Sequence, residues 1–140
     1  MVQRETFRFQ TRVRFIDTDA SGRIHYTAMF RYFEIAEIEF LRTVGITYAL
    51  DSGYVFPRVH VECDFKATLI HDDVIDIEVR LTGLGRASAR FEFRTLKGEQ
   101  VAAVGVIVIA CIDSHSQTSM PIPDHLRSQI MPLLDQEEAS

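Results

Sequence analysis

Phe7, Phe9, Val13 and Phe15 are separated by Arg8, Gln10, Arg12 and Arg14, the two-residue period of a strand with one buried face. Thr11 is the one polar residue on that face. The polar stretch from Asp17 to Arg23 ends the strand, and Asp19-Ala20-Ser21-Gly22 has the composition of a type I turn. From Tyr26 to Val44 the period lengthens: Tyr26, Met29, Phe30, Phe33, Ala36, Phe40, Leu41 and Val44 recur every three or four residues, which predicts an amphipathic helix. With Thr27 as N-cap and Gly45 as terminator, this helix has about five turns and a length of roughly 27 Å.

Four further strands are predicted with no second long helix between them. Val59, Val61, Cys63 and Phe65 alternate with His60, Glu62, Asp64 and Lys66; Ile75, Ile77, Val79 and Leu81 with Asp76, Glu78 and Arg80; Ala87, Ala89, Phe91 and Phe93 with Ser88, Arg90, Glu92 and Arg94. Lys97-Gly98 is the hairpin signal before Val101 to Ile112, a run apolar at nearly every position. Such a run reads as a strand buried on both faces, by the helix on one side and a partner subunit on the other. The order predicts an α+β fold in which one antiparallel sheet of five strands packs on one long helix. Residues 1–140 read as a single domain, with its core over 7–112 and a tail over 113–140. The tail opens with a polar loop, forms a short helix after Pro123 and ends in solvated Glu137 and Glu138.

Composition narrows the functions. With 140 residues, 46% hydrophobic and 25% charged, the chain has the make-up of an ordinary globular domain. A net charge of −5 argues against a nucleic-acid partner, despite Arg4, Arg8, Arg12 and Arg14 near the start. No apolar run is long enough to span a bilayer and Met1 to Thr6 lacks the core of a signal peptide, so the expected location is the cytoplasm. Cys63 and Cys111 fall in strands as small hydrophobes. His60, His71, His115 and His125 show no ligand spacing, so no metal is expected.

Candidate chemistry gathers where the first strand ends and the helix begins, with Asp17, Asp19, His25 and Tyr26 close in sequence. A helix start offers unpaired N–H groups and the positive end of the dipole to a developing oxyanion, and a nearby carboxylate can attack a carbonyl or activate water. The competing reading of Asp19 is a turn residue bonded to the N–H two positions on. On the helix, projection at about 100° per residue puts Glu37 inside the apolar arc and Glu34 on its border; an ion pair with an arginine such as Arg31 or Arg42 would offset their burial.

The segment Asp17-Thr18-Asp19-Ala20-Ser21-Gly22-Arg23-Ile24-His25-Tyr26, with Tyr32-Phe33-Glu34 and Leu41-Arg42 after it, resembles the hotdog-fold thioesterases of the 4-hydroxybenzoyl-CoA thioesterase type. The resemblance runs from Phe7 to about Ile112. It implies a hotdog fold, one long central helix wrapped by a five-stranded antiparallel sheet, and hydrolysis of an acyl-CoA or acyl carrier protein thioester, with coenzyme A present only as part of the substrate. It further implies Asp19 as the catalytic carboxylate, Asp17 as structural, and backbone N–H groups near Tyr26 as carbonyl-polarising, with His25 or Tyr26 lining the acyl site. This chain has His25 followed by Tyr26 where some members place a tyrosine before a histidine. Another hotdog branch puts its glutamate on the central helix, which makes Glu34 the reserve candidate. Arg86, or Arg58 or Lys66, would meet the coenzyme A phosphates, in a homodimer or homotetramer with sites at subunit interfaces. Whether Asp19 acts as nucleophile or general base stays open, since an aspartate of ordinary pKa is a weak base at neutral pH. A non-catalytic acyl-thioester-binding or interaction module of the same fold is the alternative.

Overall fold

The computed structural model describes residues 6–48 and 52–135; Arg4, Glu137 and Glu138 lie outside them. The elements in chain order are β1 (Phe7–Arg12), α1 (Ala28–Arg42), β2 (Tyr54–Val55), β3 (Arg58–Phe65), β4 (Val74–Leu84), β5 (Ser88–Lys97), β6 (Gln100–Ala110), β7 (Ile112–Asp113) and α2 (Asp124–Ile130). Five strands form one antiparallel sheet in the order β1-β4-β5-β6-β3, and β2 pairs with β7 apart from it. Lys97 pairs with Gln100, so only Gly98 and Glu99 turn the β5–β6 hairpin, with Gly98 at φ +63°.

The helix lies on the sheet because its apolar stripe has one surface to bury against. Ala28, Met29, Tyr32, Phe33, Ala36, Phe40 and Leu41 are buried, facing Ile75, Ile77 and Val79 of β4, Phe91 and Phe93 of β5, and Ala103 and Ile107 of β6. Phe33 stacks on Phe93 with ring centroids 4.6 Å apart. It seats over Gly105 of β6, where a Cβ would overlap its ring and come 3.0 Å from the Glu62 carbonyl. A glycine in the middle of an apolar strand is thus the contact point of helix and sheet.

α1 is four turns rather than five. It starts at Ala28, after a turn in which Thr27 has helical φ/ψ and makes no side-chain cap, and Tyr26 stays outside, 68% exposed. Its end follows the predicted chemistry. Gly45 at φ +80° donates to Arg42 O and Ile46 donates to Leu41 O, the paired bonds of a Schellman cap.

Three strand expectations are corrected. Phe15 does not extend β1 but sits in a 3-10 turn over Phe15–Asp17, 76% exposed. β3 forms the edge of the sheet beyond the cover of α1, so its apolar alternation is not buried: Val59, Val61 and Phe65 are exposed. β6 is buried on one face, through Ala103, Gly105, Ile107 and Ile109, while Val104, Val106 and Val108 on the other face are half-buried in the single chain. The tail is integral up to Asp135: Ile122 and Ile130 are buried, and Leu134 bridges to Leu81. α2 follows Pro123 as predicted.

Candidate active site

Residues 17–25 fold into a small hairpin between the end of β1 and the start of α1. Thr18 bridges to Ile24, and Asp19 N–H donates to Arg23 O at 2.8 Å. Gly22 N–H donates to Asp19 O at 3.0 Å, which closes the predicted turn, and Gly22 takes φ +82°, the left-handed residue that a three-residue hairpin loop requires. The hairpin is fastened on two sides. Ile24 N–H donates to Leu69 O, and the buried Asp17 carboxylate accepts from Tyr32 Oη of α1 at 2.5 Å and pairs with Arg31. Tyr32 Oη also accepts from Arg14 N–H at 3.0 Å. Asp17 therefore locks the hairpin to the helix.

Asp19 sits on the outer side of the hairpin, in solvent. Its Oδ1 accepts from Ser21 N–H at 2.8 Å and from Ser21 Oγ at 2.6 Å, an Asx turn. Those two bonds, the hydroxyl's first, hold its carboxyl below the ordinary aspartate value. The turn-forming reading is met in full, and Oδ2 has no hydrogen-bond partner among the described residues.

The backbone beside it reaches the helix with one donor unused. His25 N–H donates to Asp17 O and Thr27 N–H to His25 Nδ1; Tyr26 N–H, between them, has no acceptor among the described residues. Because Thr27 N–H can only donate, Nδ1 of His25 is the acceptor nitrogen, and the neutral ring carries its proton on Nε2. The His25 and Tyr26 rings stack at 4.7 Å. Tyr26 with Arg23, Ile24 and the segment Phe65 to Leu69 lines a groove of about 320 Å³. Exposed Phe15, Ile16 and Ile70 add an apolar surface near this end of the sheet.

The other predicted residues are elsewhere in the chain. Glu34 is half-exposed on α1, and its arginine is Arg58 at 3.6 Å, not Arg31 or Arg42. Arg58, at the start of β3, mainly serves Glu37: Nη2 lies 2.9 Å from Glu37 Oε2, which also accepts from Tyr48 Oη at 2.5 Å. Glu37 is fully buried with no partner for Oε1 among the described residues. Burial pushes its carboxyl above the ordinary value, against the pull of Arg58 and Tyr48. Arg86 lies in the loop after β4, the end opposite the Asp19 hairpin, which joins the sheet just before Val74. The eleven residues of β4 put these ends about 35 Å apart. Within one chain the basic side chains at the groove are Arg23 and Lys66. Sequence reading missed Arg23, although it lies inside the motif, and the Glu37–Tyr48–Arg58 cluster. No group of metal-ligating residues occurs among the described residues. Burial raises the Cys63 thiol to about 11, in keeping with a packing role.

The profile of the thioesterase-like superfamily matches residues 13–130. The chain belongs to that superfamily. The match extends past Ile112 through α2, so the family domain includes most of the tail. Membership places the protein among thioester hydrolases with the hotdog fold. A relative from Aquifex aeolicus that carries a provisional esterase name is 35% identical over 99 residues, 69% of this chain and 77% of its own. The 1,4-dihydroxy-2-naphthoyl-CoA hydrolase of Synechococcus elongatus is 29% identical over 125 residues, 86% of this chain and 92% of its own. The solved structure of a gentisyl-coenzyme A thioesterase superposes with a TM-score of 0.79 at 28% identity, covering 88% of this chain and 98% of that one.

Proposed function

We propose that this superfamily member hydrolyses the thioester of an acyl-CoA to a free acid and coenzyme A at the Asp19 hairpin. The carrying observation is that one hairpin presents a free Asp19 Oδ2 and, where it meets the start of α1, an unused Tyr26 N–H. A thioester carbonyl in the Tyr26 groove would direct its oxygen to that N–H, where the helix dipole adds to the stabilisation of an oxyanion. The lowered carboxyl of Asp19 is a weak base, which favours attack on the carbonyl carbon. The tetrahedral adduct would then expel the coenzyme A thiolate and leave a mixed anhydride, which water hydrolyses to restore Asp19. Tyr26 lines the groove with the His25 ring stacked on it, and Arg23 and Lys66 are positive charges for the coenzyme A phosphates.

The working unit is read as a homodimer. β3 pairs with β6 on one side only, and Val59, Val61 and Phe65 are exposed along it. Two copies pairing antiparallel about a two-fold between Val61 and Glu62 would set Arg58 of each strand opposite Phe65 of the other. That arrangement brings the Arg58–Glu34–Glu37 cluster of one subunit to the groove of its partner. Exposed Phe15 and Ile16 offer a second contact for a homotetramer.

Free-thiol release from short, medium, long and aromatic acyl-CoA esters tests the reading. Turnover by wild type, abolished in Asp19→Asn and retained in Glu34→Gln, is the expected result. Binding of the esters without thiol release would instead favour the non-catalytic module.

A further inference from the structure

Ser21 makes two hydrogen bonds to one oxygen of Asp19, and the turn between them needs only the first. The Ser21 N–H donates to Oδ1 at 2.8 Å, a bond that any residue except proline could supply at this position. The Ser21 hydroxyl donates to the same oxygen at 2.6 Å, inside the range of about 2.5–2.7 Å for a hydroxyl on an ionised carboxylate. Alanine would keep the turn and lose the second bond. Both side chains are exposed, so packing does not account for the hydroxyl.

Its first effect is on orientation. The last torsion of an aspartate is soft and nearly two-fold, and a second donor on Oδ1 opposes exchange of the two oxygens. Oδ2 is then the oxygen left without a hydrogen-bond partner among the described residues. The backbone beneath the pair is itself fixed, since Asp19 N–H donates to Arg23 O and Gly22 N–H to Asp19 O. An attacking oxygen held in one place is what displacement at a carbonyl carbon requires, because misplacement by an ångström is costly in rate.

Its second effect is on charge. Among the influences that hold the Asp19 carboxyl below its ordinary value, the Ser21 hydroxyl is the largest, ahead of the Ser21 N–H, and His25 adds a smaller one. The other ionisable groups around the hairpin are engaged elsewhere. Asp17 is turned to Tyr32 and Arg31 of α1, and the Arg23 side chain lines the groove. In the segment that meets the hairpin at the Arg23–Ile70 bridge, His71 packs on Phe15, Asp72 pairs with Arg12 and Asp73 with Lys97.

We propose that Ser21 is a positioning residue for the hydrolysis, its hydroxyl holding Oδ1 so that Oδ2 is the oxygen that attacks the thioester carbon. In that step the bond from Oδ2 to carbon forms, the carbon–sulfur bond breaks, and the electron pair leaves on the coenzyme A thiolate. Oδ1 becomes the carbonyl oxygen of the Asp19 half of the anhydride, with the two Ser21 donors still on it. Water then adds to the acyl carbon and Oδ2 departs with its electron pair, so the carboxylate re-forms with charge on the oxygen that Ser21 bonds. One proton of the water goes to the thiolate and the other is carried off by the acid. The inference rests on the thioesterase reading and on attack by Asp19.

The test follows loss of the acyl-CoA thioester that wild type hydrolyses fastest, in wild type, Ser21→Ala, Ser21→Thr and Asp19→Asn. Enzyme held at neutral pH is mixed into buffers from about pH 7 to about pH 3, a range that spans the ionisation of an aspartate, and initial rates are read. Near neutral pH, Ser21→Ala should lose about three- to tenfold in kcat/KM, the worth of one such bond. A more basic carboxylate alone would attack faster, so a fall reports lost orientation. The acid limb of kcat/KM should move to higher pH in Ser21→Ala, because the carboxyl returns towards its ordinary value, and Ser21→Thr should restore both rate and limb. Rate and limb equal to wild type in Ser21→Ala would overturn the proposal. A loss of rate with the limb in place, or one that threonine does not restore, would mark a folding effect and overturn it as well. With Asp19→Asn inactive, either result sinks the Ser21 role alone. An Asp19→Asn as active as wild type, or a wild type that hydrolyses no ester, would sink the Asp19 reading and this role together.

Discussion

Two neighbouring aspartates of one motif have opposite surroundings, and the difference assigns their work. Asp17 is buried between Tyr32 and Arg31, where a carboxylate without partners would be costly. Its replacement by Asn should lower unfolding free energy by about 1.5–3 kcal/mol, as expected for a hydrogen bond to a charged group; urea denaturation would read it, and a midpoint equal to wild type would contradict the locking role. Glu37 makes a different prediction. Its folded pKa is raised by burial over the unfolded value, so the stability this group contributes is full below about pH 4 and is lost as pH rises through the folded value. Glu37→Gln should remove that decline, measured as unfolding free energy against pH; an unchanged slope would show that Arg58 and Tyr48 fully offset the burial.

Elements differ in how much of their environment is local, which is why some were legible from sequence and others not. The alternation of β4 and β5 is a direct record of burial, because both strands lie inside the sheet under α1. The same alternation in β3 misleads, since nothing in a two-residue period distinguishes a covered strand from an edge. The turn at Asp19 was readable because its bonds span three residues, and so was the cap at Gly45. The partner of Glu37 was not, because Arg58 is brought to it from the far end of an intervening loop. The same holds for an apolar cavity whose walls come from α1, β5, α2 and that loop. Gly105 shows a local residue with a non-local reason. Gly105→Ala would force a methyl into the Phe33 ring and should cost about 1–3 kcal/mol by overpacking. A thermal midpoint within a degree of wild type would mean that α1 shifts freely on the sheet.

For the whole molecule, one chain holds the Tyr26 groove and the Asp19 hairpin at one end of α1, and an apolar cavity and the Glu37–Arg58 pair towards the other. The exposed β3 edge is the surface through which two copies would join unlike ends. A charge in the middle of that edge, Val61→Lys, should block the pairing. Size-exclusion chromatography is expected to show a monomer with little hydrolytic activity, and a fully active monomer would contradict the composite site. The proposed mechanism turns on a single residue, and the kinetics of Asp19→Asn test it most directly. With its fold verified by circular dichroism, the variant should lose roughly 10²–10⁴-fold in kcat, in the range of a positioned catalytic group, while KM changes little. A kcat within twofold of wild type would show that Asp19 only turns the chain.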